Sequence, residues 1–402
     1  MKILAALIVA LTPALGLAQT VPQAEQFDVA TLKPQYPHRL FAMDSYGDTG
    51  VNIINGDDLS VEGNLPATAE SVFALDPAGR YFYVCESIWT KGNRGTRQDM
   101  ISVYDSRTLA LTTEIALPTG RLLVDALAHN CDVSADGKFA YVYNFQPASS
   151  VTVVNLETRK VASTVELPGC ALAFPWGDHG FSSLCGDGTI ATVSLSAAGM
   201  PPGAAGKAGK AAAANAEAVA HSARFFDPDN DPIFSESLVD RANGRAFFIS
   251  YSGQIFPAQL GEHPSIDKPW SLQVSAGMPQ AGTGAQELAW RPGGLNVLVW
   301  HKAKNRLYAL MHPGAHWTQK KPGTEVWVLD AASHALIRRI ELPAPTISIA
   351  ISQDDQPLLY LLTSNNQAAG MPGDVYTIDP ETGLQKGKTN YPGGRVAWVP
   401  GF

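Results

Sequence analysis

Apolar and polar positions along this chain alternate in short runs, and the runs recur. One unit is a turn followed by an aromatic or β-branched run: Asp76-Pro-Ala-Gly-Arg-Tyr-Phe-Tyr-Val84 and Ser134-Ala-Asp-Gly-Lys-Phe-Ala-Tyr-Val142, with looser copies starting at Arg241, Lys302 and Ser352. Asp or Asn before Gly supplies the positive φ angles of a tight hairpin, and the period of two predicts a strand. A second unit follows at a regular distance. Val103-Tyr-Asp leads to a strand closing on Leu117-Pro118, Val153-Val-Asn to Leu167-Pro168, and Val328-Leu-Asp to Leu342-Pro343. Val375-Tyr-Thr-Ile-Asp379 is the last clear copy. Each predicts a buried strand, a polar turn and an outer edge strand, where proline costs no ladder hydrogen bond.

Together the units describe a four-stranded antiparallel meander that recurs about every 50 residues, the spacing of propeller blades. Weaker copies near residues 51–56, 192–195 and 255–258 fill the gaps and bring the count to about seven. The chain enters mid-motif at residues 39–43 and ends on a lone strand at 395–399. The expectation is therefore an all-β, seven-bladed β-propeller, closed by the C-terminal strand joining the N-terminal blade. Residues 38–402 form that single domain, interrupted by an Ala/Gly-rich loop at about 197–220; residues 19–37 precede it as an arm.

Composition fits many short strands: charged residues make up 16%, with 36 Gly and 28 Pro. Residues 1–18 read as a signal peptide, with Lys2, an apolar run and small residues before a cleavage point at Gln19. The run is shorter than the roughly 20 residues a bilayer span needs, so an exported, periplasmic protein without a membrane segment is expected. A net charge of −8 and the lack of a basic run argue against nucleic acid as partner. Four cysteines, Cys85, Cys131, Cys170 and Cys185, point to disulfides in an oxidising compartment. Cys85 and Cys131 each sit about four residues from a repeat turn, on what would be neighbouring blades, so a bond between them is one option.

Catalytic patterns are absent. His179, His301 and His312 are scattered, no metal-ligand spacing is present, and Asp227-Pro-Asp-Asn-Asp231 lacks the Gly and Glu of a calcium loop. One loop stands out. Ser87-Ile-Trp-Thr-Lys-Gly-Asn-Arg-Gly-Thr-Arg-Gln-Asp99 combines Trp89 with Lys91, Arg94, Arg97 and Asp99 and is longer than its hairpin requires. Trp and Arg dominate interface energetics, which suits a protein or substrate contact. The plainer use is an internally paired loop with Arg97 bonded to Asp99. A stand-alone propeller that binds a protein partner, and a propeller enzyme with a metal in its central channel, are the other functions this pattern allows.

That loop, with Gly169-Cys170, Leu184-Cys185-Gly-Asp-Gly188, Asp231-Pro-Ile-Phe234, Trp290-Arg-Pro-Gly-Gly294 and Glu325-Val-Trp-Val-Leu-Asp330, resembles the heavy chain of the tryptophan tryptophylquinone amine dehydrogenases, most closely the aromatic-amine branch. The resemblance implies a disulfide between Cys170 and Cys185. It also implies an α2β2 complex in which a small cysteine-rich light chain holds the quinone and the catalytic base. This chain would then have no catalytic residue, metal or cofactor of its own, and Trp89, Arg94, Arg97 and Asp99 would face the light chain or the substrate channel. The reaction implied is primary amine to aldehyde and ammonia, with electrons passing to an amicyanin- or azurin-like blue copper protein. The 197–220 loop and the Cys85/Cys131 pair depart from the family pattern.

Overall fold

A computed structural model describes residues 31–43, 50–92, 94–123, 127–202, 219–366, 371–392 and 394–401. The signal-peptide reading and most of the arm and of the 197–220 loop lie outside these residues. The described chain from Leu32 onward is one compact unit.

Antiparallel strands fill that unit. The first sheet orders Val396–Trp398, Arg39–Met43, Val51–Asn55 and Val61–Leu65. The second holds Val72–Leu75, Tyr81–Trp89, Arg97–Asp105 and Leu111–Leu117, and the third Cys131–Val133, Phe139–Asn144, Ser150–Asn155 and Lys160–Glu166. The fourth holds Cys170–Trp176, Gly180–Cys185, Ile190–Ser194 and Val219–His221. The fifth begins Leu238–Asp240, Arg245–Ile249, Gln254–Gln259, and short strands Ser265–Ile266 and Trp270–Ser271 share its outer edge. The expected pairing of the two chain ends is present in the first sheet, with Phe41 opposite Trp398, Ala42 opposite Ala397 and Met43 opposite Val396.

The fold is an all-β propeller, but the expectation of seven blades is corrected. Five sheets stand alone as blades, and the chain from Ala289 to Pro392 forms one continuous eight-stranded sheet. Its centre is Leu336–Ile351, a single 16-residue strand. The first part of that strand pairs with Gly323–Asp330 and the second with Leu359–Asn366. The repeat pattern predicts a strand end at Leu342-Pro343. Instead the chain runs on through Pro343 and Pro345, because proline's fixed φ near −65° is compatible with extended backbone.

Turn chemistry explains the rest of the regularity. In the inner turns Gly79, Gly137 and Gly244 take φ of +69°, +74° and +70°. In the outer turns an Asp or Asn side chain accepts backbone amides just ahead of it. Asp105 accepts from Arg107 and Thr108, Asn155 from Thr158, Asp330 from Ala332 and Ser333, and Asp379 from Glu381 and Thr382. Four residues after each, the backbone turns left-handed: Leu109, Arg159, His334 and Gly383. Only the last is the glycine that such a φ favours.

The core lies between sheets. Val72, Tyr83, Cys85 and Ile101 of the second sheet pack on Cys131, Val133, Ala140 and Val142 of the third. Phe41 and Ile53 of the first sheet likewise meet Phe73 and Phe82 of the second. A disulfide joins Cys85 to Cys131 through that shared core, with Cα atoms 6.3 Å apart and both residues buried. Cys170 and Cys185 are also bonded, directly opposite one another within the fourth sheet. The Cys85–Cys131 bond closes a sequence separation of 46 residues. Replacing both cysteines by Ala should lower unfolding free energy by up to about 4 kcal/mol in the chain-entropy account. Chemical denaturation of the two proteins checks this, and an unchanged midpoint contradicts it.

Candidate functional site

The second and third strands of the second sheet extend beyond the blade as a hairpin that carries the residues singled out by the sequence. Trp89 sits opposite Arg97 and Ser87 opposite Asp99. Within the tip, Thr90 N–H donates to Thr96 O and Lys91 N–H to Arg94 O. Asp99 is buried, 2% exposed. Its carboxylate accepts from Arg97 Nε (2.6 Å) and Nη2 (2.9 Å), from Ser87 Oγ (2.6 Å), and from the Gly120 and Arg121 amides (2.9 and 3.1 Å). Arg97 Nη2 also donates to Arg121 O, while the buried Arg121 donates to Ser87 Oγ and Glu70 O.

Arg97 and Asp99 therefore form the internal pair, and their charges are spent on fixing the hairpin to the 120–121 connection. Trp89 is half-buried with the Arg97 guanidinium 5.9 Å from its ring centre, and Arg94 is exposed. The structure thus divides the four: two brace the base, and two stand at the tip. Burial pushes the Asp99 carboxyl up, but Arg97, Ser87 and the two amides outweigh it and hold its pKa below the ordinary value. Burial also pushes Arg121 down to about 10, with Asp99 limiting the fall.

A second cluster leaves little mark in the sequence. The inner strands enclose an axial cavity of about 770 Å³, its open mouth included. His129, Asp132, Glu236 and Arg241 form one wall; Val299, Ala350, Ile351, Ala397 and Val399 contribute to the apolar remainder. His129 Nδ1 lies 3.2 Å from Asp132 Oδ2, and its Nε2 lies 2.8 Å from Ser237 O. Arg241 Nη2 is 3.2 Å from Asp132 Oδ1, and Glu236 Oε1 accepts the Ala128 amide at 2.9 Å. Imidazole, carboxylate and guanidinium pair with one another here, and a carboxylate already engaged by a ring nitrogen and a guanidinium is poorly placed to receive an ionic ligand.

The repeat holds the one signal that could have found it. Ala74, Asp132, Val299 and Ala350 occupy equivalent inner-strand positions, each opposite a tyrosine on the next strand: Tyr83, Tyr141, Tyr308 and Tyr360. All four line the cavity. Asp132 is a carboxylate where the other three copies carry a small apolar residue.

The remaining polar residues brace loops. His301 Nε2 meets Asp354 O, and its Nδ1 accepts the Lys304 amide. Asp227 accepts from the Asp229 amide and the Asn230 side chain, and Asp231 receives Ser250, Ser252 and the Ser252 amide. Among the described residues no group of three or more His, Cys, Asp or Glu side chains could hold a metal ion. Trp290 and Trp327 have ring centres 5.7 Å apart, but Arg339 stacks over both and Trp327 Nε1 donates to Glu325. Trp327 is buried and Trp290 half-buried in that stack.

Blade sheets around an axial cavity, closed by the C-terminal strand and stapled by disulfides, define a β-propeller. Residues 45–397 match the family model of the methylamine dehydrogenase heavy chain, and the chain belongs to that family. It is 25% identical to the methylamine dehydrogenase heavy chain of Methylobacillus flagellatus over 385 residues, covering 94% of this chain and 88% of that one. With the Methylophilus methylotrophus heavy chain it shares 27% over 373 residues, 92% and 84% of the two chains. These relatives carry the methylamine name and do not distinguish an aromatic-amine branch. Among solved structures, the Pseudomonas aeruginosa periplasmic gluconolactonase superposes with a TM-score of 0.58 at 14% identity, covering 90% of this chain and 98% of that one. Dihydro-heme d1 dehydrogenase gives 0.53, also at 14%, covering 93% and 72%. At such identities these show the propeller fold alone.

Replacing Asp99 by Asn should destabilise the protein by about 3 kcal/mol at neutral pH, since Arg97 loses its buried partner. A carboxylate whose folded pKa is lowered contributes stability above its unfolded value near 3.9 and loses it as pH falls through the folded one. The gap between wild type and Asp99→Asn should therefore shrink below about pH 4. Melting curves at pH 7 and pH 3 test both statements.

Proposed function

We propose that this chain is the large, non-catalytic subunit of a periplasmic amine dehydrogenase. The observation that carries the reading is the family match across nearly all of the propeller. In this reading it pairs, as α2β2, with a small cysteine-rich light chain bearing tryptophan tryptophylquinone, whose chemistry oxidises a primary amine to aldehyde and ammonia and passes electrons to an amicyanin- or azurin-like blue copper protein. The propeller contributes a rigid docking face. In an antiparallel meander all loops between second and third strands fall on the same face. Those loops and their flanks carry exposed apolar groups: Ile88 at 36%, Phe145 at 59% and Trp317 at 50%. Exposed aromatic groups grouped on one face support an interaction surface, and Trp89 and Arg94 lie at the tip of one of its hairpins.

Co-expression with the light chain tests the assignment. A co-purifying small subunit absorbing in the visible range is expected, together with amine oxidation that the large chain alone lacks. A lone colourless propeller after co-expression would favour a partner-binding role without catalysis. In the assembled enzyme, Trp89→Ala should change the ratio of kcat/KM for small and bulky amines by roughly tenfold while leaving the quinone spectrum as it was. A constant ratio with a lower melting temperature removes Trp89 from the substrate channel.

A further inference from the structure

We propose that His129 is a doubly protonated imidazolium and serves as a pH-sensitive latch that ties the third, fourth and fifth sheets together inside the axial channel. The argument begins with hydrogen-bond inventory. A neutral imidazole has one donor nitrogen and one acceptor, whereas both ring nitrogens of the cation donate. His129 Nδ1 faces the Asp132 carboxylate and Nε2 faces the Ser237 carbonyl. Carboxylate and carbonyl oxygens only accept, so a neutral ring satisfies one partner and leaves a lone pair against the other. Burial makes that mismatch costly.

The ring's position makes it a tie. Asn130 and His129 belong to the short 3₁₀ turn Ala128–Asn130, which leads directly into Cys131–Val133 of the third sheet. Ser237 immediately precedes Leu238–Asp240 of the fifth sheet. Phe174 of the fourth sheet, which lies between them, packs on the imidazole with ring centres 4.5 Å apart. The Ala128 amide adds a second tie by donating to Glu236 Oε1.

The charged and titratable groups around the ring come from the third and fifth sheets. Asp132 lies on the third sheet's inner strand and Tyr141 on the strand beside it; Glu236 and Arg241 flank the fifth sheet's inner strand. The Phe174 strand and Val72–Leu75 bring no charge. Protonated His129 places its charge against Asp132 and near Glu236. Burial opposes that charge, but the Asp132 hydrogen bond and charge, Glu236 and the Ser237 carbonyl outweigh it and hold the imidazole pKa above its ordinary value. A raised histidine pKa contributes stability fully below the unfolded value near 6.5 and loses it as pH rises through the folded value. Above that point the neutral ring satisfies only one of its two partners, and the third and fifth sheets rely on the Arg241–Asp132 pair, the Ala128–Glu236 bond and their packing.

The test uses the full chain, labelled with nitrogen-15 at histidine. Both ring nitrogens of His129 should be protonated at pH 7, with a titration midpoint above those of exposed histidines. Asp132→Asn should lower that midpoint by about one unit or more, as loss of a neighbouring opposite charge does. Hydrogen exchange at the Ala128 amide, corrected for intrinsic rate, should rise as pH passes the midpoint. In melting curves, wild type should lose stability as pH rises above about 6.5 while His129→Gln stays flat. A neutral ring in wild type at pH 7 overturns the proposal, whether or not the variants fold. So does a midpoint unmoved by Asp132→Asn, or a His129→Gln protein with the wild-type pH slope.

Discussion

Burial between neighbouring sheets is the interaction on which everything else in this protein rests. Each blade is polar along its outer edge and apolar on faces that only another blade can cover. Such a sheet is unstable alone, so the two ends of the row must meet. They meet through a short strand: Val396–Trp398 beside Arg39–Met43, with Trp398 edge-on to Phe73 of the second sheet. The closing strand therefore completes a ladder and a core together. The Cys85–Cys131 bond acts on the same boundary type, crossing covalently where apolar contact already joins two blades.

Much of this is legible in the sequence because turns in a meander have strict chemistry. The spacing of the repeat alone assigns Asp76, Ser134, Asp105, Asn155, Asp330 and Asp379 to turns, and each is found in one. The blade count is less legible. Proline after an outer strand reads as a stop at Pro343, yet its φ continues an extended strand, and what ends a strand is the loss of a pairing neighbour. Left-handed residues such as Leu109, Arg159 and His334 are also unreadable, since their side chains carry no mark of it and the preceding Asp or Asn alone organises the turn.

The two polar clusters show why side-chain roles divide as they do. Trp89, Arg94, Arg97 and Asp99 are close in sequence, which makes them look like one group. The two-residue period of the strand then sends Asp99 and Ser87 inward together, and five donors converge on one carboxylate. The axial cluster is the reverse case. His129 and Glu236 lie far apart in the chain and acquire a common environment only when inner strands gather around one axis. Only Asp132 betrays it, through its departure from the small residue that other copies carry.

The long strand Leu336–Ile351 also bears on where this chain can be cut. Joins such as residues 167–169 pass from one sheet to the next, so new termini there leave every ladder whole. A break at residues 342–345 would instead divide a strand whose halves serve different neighbours, leaving two frayed edges in place of one shared element. Split or circularly permuted forms of the propeller therefore have natural seams around most of the ring and a region without one between Ala289 and Pro392.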